Sequence, residues 1–138
     1  MKTSARNQLK GKVTEVIEGK VNDEVVLDLS GTTLKAVITK EAVKDLGLAA
    51  GSEVYAIIKA SFVMVSKDKP GKISTRNVIE TTVEEIIEGM VSCELKLSTA
   101  GGAKLTAIVT EEAAKDLAIA KGDTVYALIK ASSIILAQ

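Results

Sequence analysis

The sequence predicts a mainly β protein made of two tandem five-stranded OB-like barrels, each with one short helix. Three observations predict it. The 138-residue chain is one unit written twice. Within each unit, short runs alternate apolar and polar residues between glycines, the pattern of half-buried strands. Hydrophobic residues make up 46% of the chain, yet there are only two Tyr, one Phe and no Trp. The core is therefore Val, Ile, Leu and Ala, which suits small barrels.

The repeat sets the domain organisation. TSARN at 3–7 returns as ISTRN at 73–77, and VIEGKV at 16–21 as IIEGMV at 86–91. LKAVITKEAVKDLGLAAG at 34–51 returns as LTAIVTEEAAKDLAIAKG at 105–122, and VYAIIKAS at 54–61 as VYALIKAS at 125–132. The offset is 70 early and 71 late, so the second copy holds one extra residue. Gly101-Gly102, against the single Gly31, is the place for it. The stretch SKDKPGK at 66–72 holds the only proline, a glycine and three lysines, and reads as a junction. The domains expected are 1–67 and 74–138, with a linker at 68–73.

Each element follows in order. Residues 8–17 form the first strand, with Val13 and Ile17 apolar and Thr14 and Glu15 polar. EGKVN, containing Gly19, is a turn. EVVLDL and LKAVIT flank Gly31 as a hairpin. TKEAVKDLG is a short helix capped by Thr39, with Glu41 in its first turn and Gly47 at its end. EVYAIIKA and FVMVS are the fourth and fifth strands. Five strands with a helix ahead of the fourth describe an OB-like barrel. A unit of about 65 residues buries a limited share of its surface and is marginal alone. The two units are therefore expected to pack together, to exchange strands and to oligomerise.

Composition narrows the function. Lys and Arg number 18, as do Asp and Glu, so no long-range field of one sign draws nucleic acid or an anionic membrane. Histidine is absent and Cys93 is the single cysteine, which argues against a zinc or copper site and against an internal disulfide. The N-terminus MKTSARNQLKGK has no apolar leader pattern, and no apolar run has the length of a membrane span. A soluble, cytoplasmic protein is expected.

Few residues carry chemistry. Lys59 and Ser61, like Lys130 and Ser132, are two apart and would share a face of a strand. A Ser-Lys nucleophile needs an oxyanion hole and a substrate cleft, and no G-x-S-x-G elbow accompanies the pair. No catalytic residue is assigned. Glu84, Glu85 and Glu88, and Glu111, Glu112 and Asp116, read as solvated faces, without the spacing of a calcium loop. Tyr55, Tyr126 and Phe62 are too few and too apolar in context for a single-strand stacking platform. What stands out are runs of donors beside apolar strands. Ser4, Arg6 and Asn7, with Ser74, Arg76 and Asn77, open the units; Lys59 and Ser61, with Lys130 and Ser132, follow the fourth strands. Two readings remain open: local turn and strand-end caps, or a cradle for a small oxyanion.

SARN, the G-K-V strand after it, the EG-x-V-N turn and KAS together resemble the molbindin, or Mop, domain, a molybdate-binding relative of the TOBE domains. The resemblance covers essentially the whole chain, twice. It implies a trimer of two-domain chains holding molybdate, or tungstate, at subunit interfaces. One class of site it implies uses S-A-R-N of one unit and K-A-S of another. In the first copy these are Ser4, Ala5, Arg6, Asn7, Lys59, Ala60 and Ser61. In the second they are Ser74, Thr75, Arg76, Asn77, Lys130, Ala131 and Ser132. A second class near the threefold axis maps to Gly19, Val21 and Asn22, and to Gly89, Val91 and Ser92. Thr75 replaces Ala5, and Ser92 replaces Asn22, which puts the second copy's axial sites in question if an Asn amide is used there.

The expected function is binding of the molybdate or tungstate oxyanion for molybdenum storage, without catalysis. The chain shows no helix-turn-helix pattern and no G-x-x-x-x-G-K-[ST] motif, so storage is reached by elimination. The competing expectation is an oligomeric OB-like module that binds protein or single-stranded nucleic acid.

Overall fold

A computed structural model describes residues 2–138. The first copy forms β1 (Asn7–Ile17), β2 (Asn22–Leu29), β3 (Thr32–Thr39), α1 (Lys40–Leu46), β4 (Glu53–Ile58) and β5 (Val63–Ser66). The second forms β6 (Asn77–Glu88), β7 (Ser92–Ser98), β8 (Lys104–Thr110), α2 (Glu111–Asp116), β9 (Thr124–Ile129) and β10 (Ile135–Ala137). The order read from the sequence is present in both copies. Alternation does what the period-2 pattern requires: Val54, Ala56 and Ile58 of β4 face inward and are buried, as are Val25, Leu27 and Leu29 of β2.

The strands curl into two five-stranded antiparallel sheets, ordered β10-β4-β1-β2-β3 and β5-β9-β6-β7-β8. The copies exchange their fifth strands. β5 pairs with β9, Val63 opposite Ile129, and β10 pairs with β4, Ile135 opposite Ile57. Each barrel is thus completed by the other copy, which removes the marginal stability of a lone unit by adding shared core. Val63 and Ile134, which lead into the exchanged strands, are among the most buried side chains.

The long first strands serve two partners. β1 pairs with β4 along its first half and β2 along its second, with a register shift between Val13 and Glu15; β6 shifts likewise between Val83 and Glu85. Such a bulge bends the strand and tightens the coil of the sheet. The helices are capped as expected. Thr39 accepts from the Ala42 N–H at 3.1 Å, and Thr110 from the Ala113 N–H at 3.0 Å. The tail beyond each exchanged strand reaches the far copy's helix end. Lys67 Nζ donates to Ala118 O at 2.8 Å, and Gln138 Nε2 to Leu46 O at 2.7 Å.

The structure corrects one expectation. K-A-S is not the end of the fourth strand. β4 stops at Ile58 and β9 at Ile129, and Ala60–Phe62 and Ala131–Ser133 are single 3-10 turns. Phe62 N–H donates to Lys59 O, and Ser133 N–H to Lys130 O, both at 2.9 Å. The chain turns here because the next strand must cross to the other barrel. Ala60 and Ala131 sit at the inside of that turn and are buried. Lys59 and Ser61 therefore do not share a strand face, and neither do Lys130 and Ser132. Among the described residues, no helix is long and apolar enough to cross a membrane.

Candidate functional site

The register of β1 against β4 builds the site. Asn7 lies opposite Ile58, so the residues before Asn7 and those after Ile58 emerge side by side. Asn77 opposite Ile129 does the same in the second copy. A groove of about 510 Å³ is lined by Thr3, Ser4, Ala5, Lys59 and Phe62 together with Ile57 of the first copy, and by Ser133 and Ile135 of the second. A pocket of about 260 Å³ is lined by Ser74, Thr75, Arg76, Lys130, Ala131 and Ser132, with Val37 from the first copy. Within the chain, each S-x-R segment thus meets the K-A-S segment of its own copy, while the sister copy adds the far wall. The resemblance implied segments of different units.

Neither cleft has a carboxylate among its lining residues. The first presents the Thr3, Ser4 and Ser133 hydroxyls and Lys59 beside apolar Ile57, Phe62 and Ile135; the second presents the Ser74, Thr75 and Ser132 hydroxyls with Lys130 and Arg76. These polar groups donate to an anion and repel no negative charge. Thr75 Oγ1 is buried with no hydrogen-bond partner in the protein, an orphan donor beside the second pocket. The donor set fits an oxyanion.

The asparagines have another role. Asn7 Nδ2 donates to Ile58 O at 3.2 Å and to Thr106 O at 2.8 Å, and Asn7 Oδ1 accepts from the Thr106 N–H at 2.7 Å. Asn77 does the same with Ile129 O (3.1 Å), Lys35 O (2.8 Å) and the Lys35 N–H (2.8 Å). Each amide acts as one more strand residue on the edge of the sister sheet. Both side chains are buried and both N–H donors of each side-chain amide are used. They hold the S-x-R segments in place and leave no amide for a ligand. The arginines also look across the copies: Arg6 Nη1 donates to Glu94 Oε1 at 2.7 Å, and Arg76 Nε lies 3.8 Å from Glu24 Oε1.

A model of the TOBE domain matches twice, over residues 3–65 and 73–136. The chain belongs to the TOBE-domain family. It is 44% identical, over its full length, to the molybdenum-pterin-binding protein MopA of Rhodobacter capsulatus. It is 41% identical, over 99% of its length, to the molybdenum transport protein ModE of Azotobacter vinelandii. The chain spans about half the length of these curated relatives, 53% and 51%. A solved structure of the cytoplasmic molybdate-binding protein ModG, with molybdate bound, superposes with a TM-score of 0.94 at 43% identity, over 99% of both chains.

The second set of expected positions lies at the β1–β2 and β6–β7 hairpin ends of the two TOBE domains. Gly19 is required there: a Cβ would stand 2.2 Å from Asn22 O, and at Gly89 2.6 Å from Ser92 O. Gly19, Asn22, Asp23, Glu24 and Arg76 line an open hollow at the first end. At the second end the hollow is lined by Met90, Val91, Thr110, Glu111, Glu112 and Lys115, without Gly89 or Ser92. Val21, Met90 and Val91 are 71%, 99% and 80% exposed, an unusual outlay of apolar surface on two tight turns.

Sequence reasoning missed Glu24 and Glu94, the arginines' partners. Their signal in the sequence is a glutamate at the matching place of both copies, directly before an apolar strand residue, Val25 or Leu95. It also missed that Phe62 and Ser133, at matching positions in the two copies, both line the first groove and that neither lines the second pocket.

Proposed function

We propose that the chain is a cytoplasmic binding protein for molybdate or tungstate that stores molybdenum and performs no catalysis. Each dianion sits between an S-x-R and a K-A-S segment. The contacts come from Ser4, Ala5, Arg6, Lys59, Ala60 and Ser61 in the first domain and Ser74, Thr75, Arg76, Lys130, Ala131 and Ser132 in the second. Asn7 and Asn77 enter as anchors of these segments. The observation that carries the reading is the pair of clefts that each offer hydroxyls and a lysine, with an arginine in the second, and have no carboxylate on their walls. The binding named for the relatives, molybdenum-pterin and molybdate, supports the same chemistry.

Charge and protonation give the selectivity. Molybdate is fully deprotonated near neutral pH, whereas phosphate keeps a proton. A site built only of donors leaves that proton unpaired, which disfavours phosphate. Sulfate is rejected by its smaller size; tungstate, almost the same size as molybdate, is not. The exposed apolar hairpin ends support assembly of three chains around an axis through Val21 and Val91, with the clefts at subunit interfaces. That axis would carry a second class of sites at Gly19, Val21 and Asn22 and at Gly89, Val91 and Ser92.

Titration calorimetry of the full chain with molybdate, tungstate, sulfate and phosphate tests the reading, with light scattering for the oligomer. Heat is expected with the first two anions only. A folded oligomer that gives no heat with molybdate, and instead binds single-stranded oligonucleotide in a salt-sensitive way, would establish the competing interaction-module reading.

A further inference from the structure

We propose that the two K-A-S clefts are unequal, and that Thr75 makes the second-domain cleft the tighter oxyanion site. This rests on the oxyanion reading above and ranks its two sites residue by residue.

Three differences separate the clefts, and all act in one direction. Thr75 stands where the first domain has Ala5. Its Oγ1 is buried at the pocket wall with no protein partner. A hydroxyl in that position has lost its hydration and gained no bond in return. Rotation about χ1 toward a bound anion breaks no existing hydrogen bond and makes a charge-assisted one. Ala5 has nothing to offer in its place.

The cations differ too. Arg6 is neutralised by a 2.7 Å hydrogen-bonded pair with Glu94, whereas Arg76 is held only loosely, 3.8 Å from Glu24. Arg76 lines its cleft, and Arg6 is not among the residues lining the other. Lys59 Nζ lies 5.5 Å from the centre of the Phe62 ring, within the range of a cation–π contact. An anion drawing Lys59 away competes with that contact. Lys130 has no such ring in its turn, because Ser133 occupies the place of Phe62.

Calorimetric titration of the full chain with molybdate is expected to resolve two classes of K-A-S site. Lys130→Ala removes the tighter class and Lys59→Ala the weaker, which assigns them. Thr75→Val keeps the shape and deletes the hydroxyl; it weakens the tighter class about tenfold or more, the worth of one hydrogen bond to a charged group. Thr75→Ser restores the affinity, which a purely structural role for the Thr75 methyl would not allow. Assignment of the tighter class to Lys59 overturns the proposal, as does a Thr75→Val protein with both classes unmoved, or a Thr75→Ser protein as weak as Thr75→Val. Absence of any molybdate heat in the unmodified protein overturns the oxyanion reading itself, so the two failures are told apart.

Discussion

Asn7 and Asn77 do the same work at the centre of the molecule, whereas Asp23 and Cys93 do different work at its two hairpin ends. Each asparagine makes three hydrogen bonds that join its own ladder to the sister sheet, with nearly the same lengths in both copies. At the first hairpin end, buried Asp23 accepts from the Gly19 N–H at 3.0 Å and lies 3.3 Å from Lys40 Nζ, which also reaches Glu18 at 3.3 Å. At the second end, Cys93 replaces Asp23, Glu111 replaces Lys40, and the Gly89 N–H turns to Ser92 O at 2.9 Å. Glu111 Oε2 is left buried without a partner. The contrast has a physical reason. A clamp between the copies meets the same backbone edge twice, so both positions need the same bifunctional amide. A hairpin end answers only to its own turn, so its buried carboxylate and its lysine can be replaced as a pair.

The central clamps should therefore be equally indispensable. Asn7→Ala or Asn77→Ala leaves a buried N–H and two C=O groups without partners, a loss of about 2–4 kcal/mol. Urea denaturation followed by circular dichroism is expected to show similar losses for the two variants. A large loss for one and none for the other would break the equivalence of the copies at their junction.

These clamps also mark the limit of what the sequence displays. The repeat, the order of strands and the threonine helix caps are local patterns, and they are readable because each is decided within a few residues. Area scaling made an exchange of strands an expectation. The pattern of FVMVS, however, is the same whichever barrel receives it, so which strand crosses is invisible. Asn7 binds Thr106, 99 residues away, and no local feature distinguishes a clamp from a ligand amide. K-A-S was legible as part of the cleft but misplaced in a strand. Its 3-10 turn is imposed by the crossing of the next strand, a tertiary demand that overrides the run of apolar residues before it.

The helix ends offer a smaller contrast. Gly47 ends α1 with φ of 61°, in the left-handed region, and Ala118 holds the matching place after α2 with φ of 50°. A side chain there costs about 1 kcal/mol relative to glycine. Nothing lies within 4 Å of a Cβ built on Gly47, so the cost is one of backbone conformation alone. Gly47→Ala should lower stability by about 1 kcal/mol and Ala118→Gly should raise it by a similar amount. Thermal unfolding of the two single variants and of the double variant measures both. Effects of the same sign would show that contacts of the tails, through Lys67 or Gln138, outweigh the conformational term.

The smallest expected effect returns to the hairpin ends, where only the second carries a thiol. Burial pushes the Cys93 thiol above its ordinary range, and the charges of Glu111 and Glu88 push it further. In the unfolded chain the thiol ionises near its ordinary value, about 8.5. The folded form holds its proton to a higher pH than the unfolded one. The stability associated with the neutral thiol is thus fully present below the unfolded value and is lost as pH rises toward the folded one. Cys93→Ala should be less stable at neutral pH, because it opens a small cavity, yet its stability should fall less steeply as pH rises above the unfolded thiol's value of about 8.5. Glu111→Gln removes one of the two negative neighbours and should give an intermediate slope. If Cys93→Ala keeps the full alkaline fall, the groups responsible lie elsewhere, and the chemical difference between the two ends has no consequence for stability in that range.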